Sequence, residues 1–229
     1  MAMNEGELVR LDILRAKAER DRAEAAKLDV EAALGRSALE QTTLLLAKAK
    51  RAEAQELAAN RYHHVYVFDG TVCGNTVDKC IDQLTQWMRN EPGCPIEIIL
   101  FSPGGEVIAG MALFDFIQRV RHAGHHVTMT ALGMAASMAG ILLQAGDKRI
   151  IGRQAYVLIH EISAGAVGKI GELEDEVTFI KKIQKRVLDI FVKRASVSRA
   201  YFVRNWRRKD WWLDSDECMR IGFVDEIQG

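Results

Sequence analysis

Between Val65 and Ile159 short apolar runs alternate with segments of helical period, and no other feature restricts the fold of this chain so severely. Val65 to Phe68 reads as a strand. Asn75 or Thr76 caps a helix with Val77, Cys80, Ile81, Leu84, Trp87 and Met88 along one face. Asn90 to Pro95 is a loop, and Ile96 to Phe101 is a strand, apolar except for Glu97. The next helix turns Val107, Met111, Phe114 and Ile117 inward, Val127 to Ala131 is a strand, and a small-residue turn leads to an apolar helix near 137–145. Arg149 to Ile151 and Ala155 to Ile159 are further strands, followed by a long helix from Glu172 to Arg194 and a shorter one after Ser198. Parallel neighbours need long crossovers, and helices supply them, so the alternation predicts an α/β fold.

The first 60 residues follow a different grammar. They contain no proline and no aromatic residue, and alanine, glutamate, arginine, lysine and leucine dominate. One heptad column holds Leu11, Ala18, Ala25, Ala32, Leu39 and Leu46; its companion is broken by Asp21, Gly35 and Thr42. A long two-stranded coiled coil is therefore weakly specified. Gly35 suits a helix C-terminus, and Ser37 with Glu40 has the Ser-x-x-Glu spacing of a capping box. The expectation is a helical extension over 1–60, two helices (7–34 and 38–59) broken near Gly35, followed by one domain over 61–229.

Charge and cysteine usage narrow the function. With 31 basic and 31 acidic side chains the formal net charge is zero, which argues against bulk-charge binding to nucleic acid. No run approaches the roughly 18–20 apolar residues of a membrane span, and the N-terminus lacks a signal-peptide apolar core. Cys73, Cys80, Cys94 and Cys218 show neither Cys-x-x-Cys pairing nor metal-ligand spacing. Reduced thiols in a cytoplasmic protein are expected, with no metal and no cofactor.

Three places carry chemistry. Ser102-Pro103-Gly104-Gly105 directly follows a strand, and its paired glycines allow backbone amides to face a cavity, although the same residues make ordinary turns. Ser137, among the small residues of Gly133 to Gly140, lies between a strand and an apolar helix. There its hydroxyl would sit at a helix N-terminus that favours a developing oxyanion, unless it is simply an N-cap. His160 closes a buried strand, at the edge where open α/β sheets place their ligand crevices.

In this order the motifs resemble the ClpP proteolytic subunit of the ATP-dependent Clp serine protease and its phage-encoded relatives. The resemblance runs from about Val65 to Ile227 and rests on Ser-Pro-Gly-Gly at 102–105, Gly-x-x-Ala-Ser-Met at 133–138, His160 and Gly222-Phe223-Val224-Asp225. It implies a ClpP/crotonase-like repeated β-β-α core. It also implies Ser137 as nucleophile, His160 as general base, and the backbone N–H groups of Gly105 and Met138 as oxyanion hole. Asp210, before Trp211-Trp212-Leu213, matches the third triad member, with Asp214 and Asp216 as nearby competitors. The implied activity is a serine endopeptidase working through an acyl-enzyme inside a ring, heptameric or stacked as a double ring. Polypeptides would be the substrates and a separate AAA+ unfoldase a candidate partner, because the chain has no nucleotide motif of its own. A phage capsid-maturation protease and a non-catalytic assembly protein of the same fold are the alternatives.

The chain departs from the family pattern in three ways. Phe101 stands before Ser-Pro-Gly-Gly where Asn is usual, Glu161-Ile162 follows the histidine where Gln-Pro is usual, and 60 helical residues replace a short axial-gate segment. Other signals have plainer readings. Gly165 to Lys169 fails the phosphate-loop spacing at Ser163 and Ile170, and the resemblance makes this region the handle that pairs two rings. His122, His125 and His126 fit a solvated loop, while Trp206, Trp211 and Trp212 among Arg204, Arg207, Arg208 and Lys209 fit packing beside surface charge.

Overall fold

The computed structural model describes residues 5–229, and the chain divides after Ala58 into two units. The first is a single helix, α1 (Glu5–Leu57), of 53 residues. At about 1.5 Å per residue it is roughly 80 Å long. The expected break at Gly35 does not occur. A glycine inside a helix costs about 1 kcal/mol, a local penalty that the flanking alanines, leucines and long charged residues outweigh. Nothing lies within 4 Å of where a Gly35 Cβ would be, so no packing forces the backbone out of the helix there. Just beyond, the Thr42 and Thr43 hydroxyls donate to the carbonyls of Ala38 and Leu39, which keeps both side chains satisfied within the helix.

The second unit carries the core. In chain order it comprises β1 (Val65–Asp69), α2 (Gly74–Asn90), β2 (Ile96–Ser102), α3 (Val107–His122), β3 (Val127–Ala136), α4 (Met138–Leu143), β4 (Lys148–Gly152) and β5 (Tyr156–Ile159). Then follow α5 (Ile170–Arg194), α6 (Arg199–Trp206), β6 (Trp211–Leu213), α7 (Ser215–Arg220) and β7 (Glu226–Gln228). The sheet has the order β1-β2-β3-β4-β7, all parallel; β5 pairs with β3 in parallel and β6 pairs with β5 antiparallel. This is the mixed α/β architecture expected from the alternation. Along β2, Ile96, Ile98, Leu100 and Ser102 are buried while the intervening residues are less so, the two-residue period of a strand. α2 buries Val77, Cys80, Leu84 and Trp87 on the face that its sequence period defines.

β3 is longer than its apolar run suggested, and that length builds the site. Thr128–Ala131 pairs with β4, the register against β2 shifts between Leu100 and Ser102, and Met134–Ala136 pairs instead with β5. Gly133 has φ +65, and a Cβ there would meet the Phe101 ring at 3.0 Å, so a glycine is needed where the strand changes partner. What the sequence suggested as a turn is thus strand up to Ala136, and Ser137 falls on the strand-to-helix junction.

The C-terminal elements are held by aromatic packing and one ion-pair network. Phe191 on α5 lies 5.6 Å from Phe202 and 5.3 Å from Phe223, and Phe202 lies 5.3 Å from Trp211 (ring centroids). Trp206 is buried in the same core and Trp211 packs against it, whereas Trp212 is 48% exposed, so the packing reading holds for the first two and not for Trp212. Arg149, 3% exposed, bonds Asp225, the Gln144 side chain and the Gly222 carbonyl. Burial alone would raise the Asp225 carboxyl, but the hydrogen bonds and charge of Arg149 prevail and hold it below the usual carboxylate range. Among the described residues no helix is long and apolar enough to cross a membrane.

Candidate active site

Ser137 joins β3 to α4 with φ 54 and ψ −119, a conformation that L-residues rarely hold. Its amide donates to the Leu158 carbonyl at 2.9 Å, which ties the junction to β5. Its side chain makes no capping bond to α4, so the N-cap reading does not hold. Instead the Oγ lies 2.7 Å from Nε2 of His160, the residue that follows β5. The parallel register of β3 and β5 creates this contact, because pairing Ala136 with Leu158 brings the two strand ends level.

The glycine loop closes the other side. A Cβ on Gly104 (φ +90) would fall 2.5 Å from the Ala136 carbonyl oxygen and 2.7 Å from Ser137 Cβ, so its backbone lies directly against the junction. The loop is anchored by Val72: its amide donates to the Gly104 carbonyl at 2.8 Å, and its carbonyl accepts from Glu106 at 2.8 Å. Gly105 pairs with Val72 in an isolated parallel bridge that leaves the Gly105 N–H unused. As the first residue of α4, Met138 has an N–H without an intrahelical acceptor. Val72 was not legible as a site element, because it acts through its backbone. A cavity of about 90 Å³ opens beside Ser137 and His160, with Met138, Ile141, Val187 and Phe191 among its walls.

The third expected member is not joined to the other two. β6 runs antiparallel to β5 with Ile159 opposite Trp211, so His160 directly follows the one strand and Asp210 directly precedes the other at the same end of the pair. Asp210 is exposed, and no hydrogen bond or ion pair connects it to His160 or to any other described residue. Its competitors are committed elsewhere. Asp214 caps α7, accepting from the Glu217 amide at 2.7 Å, and Asp216 pairs with Arg153 at 2.7 Å.

Among the described residues no cluster of three or more His, Cys, Asp or Glu side chains is placed to hold a metal. His125 is buried against the Cys94 carbonyl, and His122 bonds the Gln118 carbonyl of its own helix.

Comparison with known proteins gives this arrangement a context. The family model described as Clp protease matches residues 48–229. The chain belongs to the Clp protease family. It is 29% identical over 164 residues to a protein named ATP-dependent Clp protease proteolytic subunit from Deinococcus radiodurans, covering 70% of this chain and 78% of that one. Proteins of the same name from Bacteroides fragilis and Bacteroides thetaiotaomicron are 33% and 34% identical over 141 residues. Each alignment covers 60% of this chain, and 65% and 61% of those relatives respectively. The match to the Clp protease family includes every candidate site residue and begins inside α1.

Proposed function

We propose that this chain is a ClpP-like serine endopeptidase in which Ser137 is the nucleophile, His160 the general base and Asp210 the carboxylate that orients the base. The observation that carries the reading is the 2.7 Å contact between Ser137 Oγ and His160 Nε2 at a positive-φ junction beside free backbone amides. A serine hydroxyl is a weak nucleophile until a neighbouring base takes its proton. With a proton on Nδ1, His160 Nε2 accepts the Ser137 proton as Oγ bonds the substrate carbonyl carbon, whose oxygen becomes an oxyanion facing the Gly105 and Met138 amides. Collapse expels the amine, which leaves with the proton from His160, and an acyl-Ser137 ester remains. Water, deprotonated by His160, then hydrolyses that ester. Asp210, which directly precedes β6 as His160 directly follows β5, would accept from Nδ1 and stabilise the imidazolium. The apolar walls of the neighbouring cavity suit an apolar side chain next to the scissile bond.

The homologues' name, ATP-dependent Clp protease proteolytic subunit, supports a proteolytic subunit served by a separate ATPase, and ring assembly is part of the same proposal. We place the contact between rings at the exposed segment before α5 and at the N-terminal turns of that helix, where Val167, Ile170, Val177 and Phe179 are exposed. Four free thiols, three of them buried, suit a reducing cytoplasm.

The test is labelling by a fluorophosphonate together with hydrolysis of a short fluorogenic peptide. Ser137→Ala is expected to abolish both while the oligomer persists, and His160→Ala to do nearly the same, since triad members act as a unit. Normal turnover by Ser137→Ala would remove the serine mechanism.

A further inference from the structure

The carboxylate of Glu161, immediately after His160, joins three segments. Its Oε2 accepts from the Arg208 amide at 3.0 Å, and its Oε1 accepts from Gln184 Nε2 on α5 at 3.2 Å. Both oxygens bond groups other than His160, and no hydrogen bond joins Glu161 to the His160 ring among the described residues. The Arg208 end of this tether is unusual: Arg208 has φ +56, and its neighbours Arg207 and Lys209 spend their amides on Val203 and Trp206 within the α6 end. The Glu161 carboxylate is therefore what holds the Arg208 amide, two residues before Asp210. Beside the tether a partly open cleft of about 280 Å³ lies among Glu161, Lys181, Gln184, Leu188, Val203 and Trp206. A left-handed non-glycine residue persists only where its surroundings hold it; the Arg208 side chain is exposed, and the bond from its amide to Glu161 is one such hold.

We propose that Glu161 is a positioning residue: by holding the Arg208 amide and Gln184 it sets where the 207–210 connection stands, and so whether Asp210 reaches His160. The inference rests on the Ser137–His160–Asp210 reading above. It assigns the tether from the His160-bearing segment to the Asp210-bearing connection to one side chain. Gln at this position keeps a carbonyl oxygen that can accept from Arg208, whereas Asp keeps the charge and loses the reach.

The experiment is steady-state hydrolysis of a short peptide by full-length variants, with oligomer mass and thermal midpoint recorded for each. Glu161→Ala and Glu161→Asp are expected to lower kcat about tenfold with KM within about twofold, and Glu161→Gln to lose less than about threefold. If Glu161 acts through Asp210, adding Glu161→Ala to Asp210→Asn costs less than about twofold more, whereas independent sites would multiply. Wild-type kcat in Glu161→Ala, or a further loss of about tenfold on the Asp210→Asn background, would overturn the proposal. Ser137→Ala in parallel separates the failures: an active Ser137→Ala sinks the serine reading, while an inactive one beside a fully active Glu161→Ala sinks only the role of Glu161.

Discussion

Asp210 and Asp214 flank β6 and differ in their hydrogen-bond partners. Both are exposed, but Asp214 spends a carboxylate oxygen on the Glu217 amide, while Asp210 has no bonded partner among the described residues and directly precedes β6, the strand paired with β5. Asp210→Asn is expected to lower kcat by roughly 10²–10⁴ with little change in thermal midpoint, because a base in the wrong tautomer cannot accept the serine proton. Asp214→Ala should do the opposite: losing a cap costs about 1 kcal/mol, a fall of roughly 2–4 °C in Tm, with kcat unchanged. The reverse pattern in calorimetry and peptide kinetics would move the acid to Asp214. A third carboxylate tests the framework. A carboxyl whose folded pKa lies below its unfolded value stabilises the fold above the unfolded value, and that stabilisation drains away as pH falls through the folded one. Asp225, held low by Arg149, therefore stabilises at neutral pH. The gap in unfolding midpoint between wild type and Asp225→Asn should be widest above about pH 4 and close on further acidification. A constant gap down to pH 2 would detach it from this titration.

Elements show which parts of the architecture a sequence can carry. α2 and β2 were legible because each has one buried face whose period is written in the residues themselves. β6 and β7, three residues each, were not, because a strand that short is defined by its partner and carries no period of its own. Gly35 misled for a related reason: the break it suggests is a local preference, and a 53-residue run of helix formers outvotes it. At the site, Ser137 and His160 stand out as residues, yet their meeting depends on the β3–β5 register, and the parts played by Val72 and Glu161 arise only from contacts across the chain. The loop before α3 offers a sharp test at this scale. Gly104→Ala puts a Cβ 2.5 Å from the Ala136 carbonyl oxygen at a φ of +90, so either the loop or the Ser137 junction must shift. Peptide hydrolysis should fall by about 10²-fold or more, as for a displaced oxyanion donor, while far-ultraviolet circular dichroism stays native. Full activity would mean that the loop does not meet the reacting centre.

For the whole molecule the question is what the long helix adds to a unit that already has its own core. Val167, fully exposed before α5, and Phe179 on that helix offer an apolar surface that belongs to the second unit alone. If copies meet there across two-fold axes, Val167→Asp places two charges in one contact and should yield smaller particles by light scattering. The helix is a different case. Leu14, Leu28, Leu34, Leu39 and Leu45 are each more than half exposed, and Leu44, Leu45 and Leu46 in succession point around the axis. Such a helix is marginal without partners, yet it presents no single stripe that would select one two-stranded register. It supplies no histidine, and its acids and bases are interspersed, so it has nothing to offer the chemistry at Ser137. Removing residues 1–47 leaves the whole segment that matches the Clp protease family. That truncation should hydrolyse a short peptide with kcat within about twofold of the full chain, while particle mass or the degradation of a folded protein changes. A truncated protein that assembles at the original mass but no longer cleaves the peptide would mean the reverse, that α1 orders the active site of the unit that follows it.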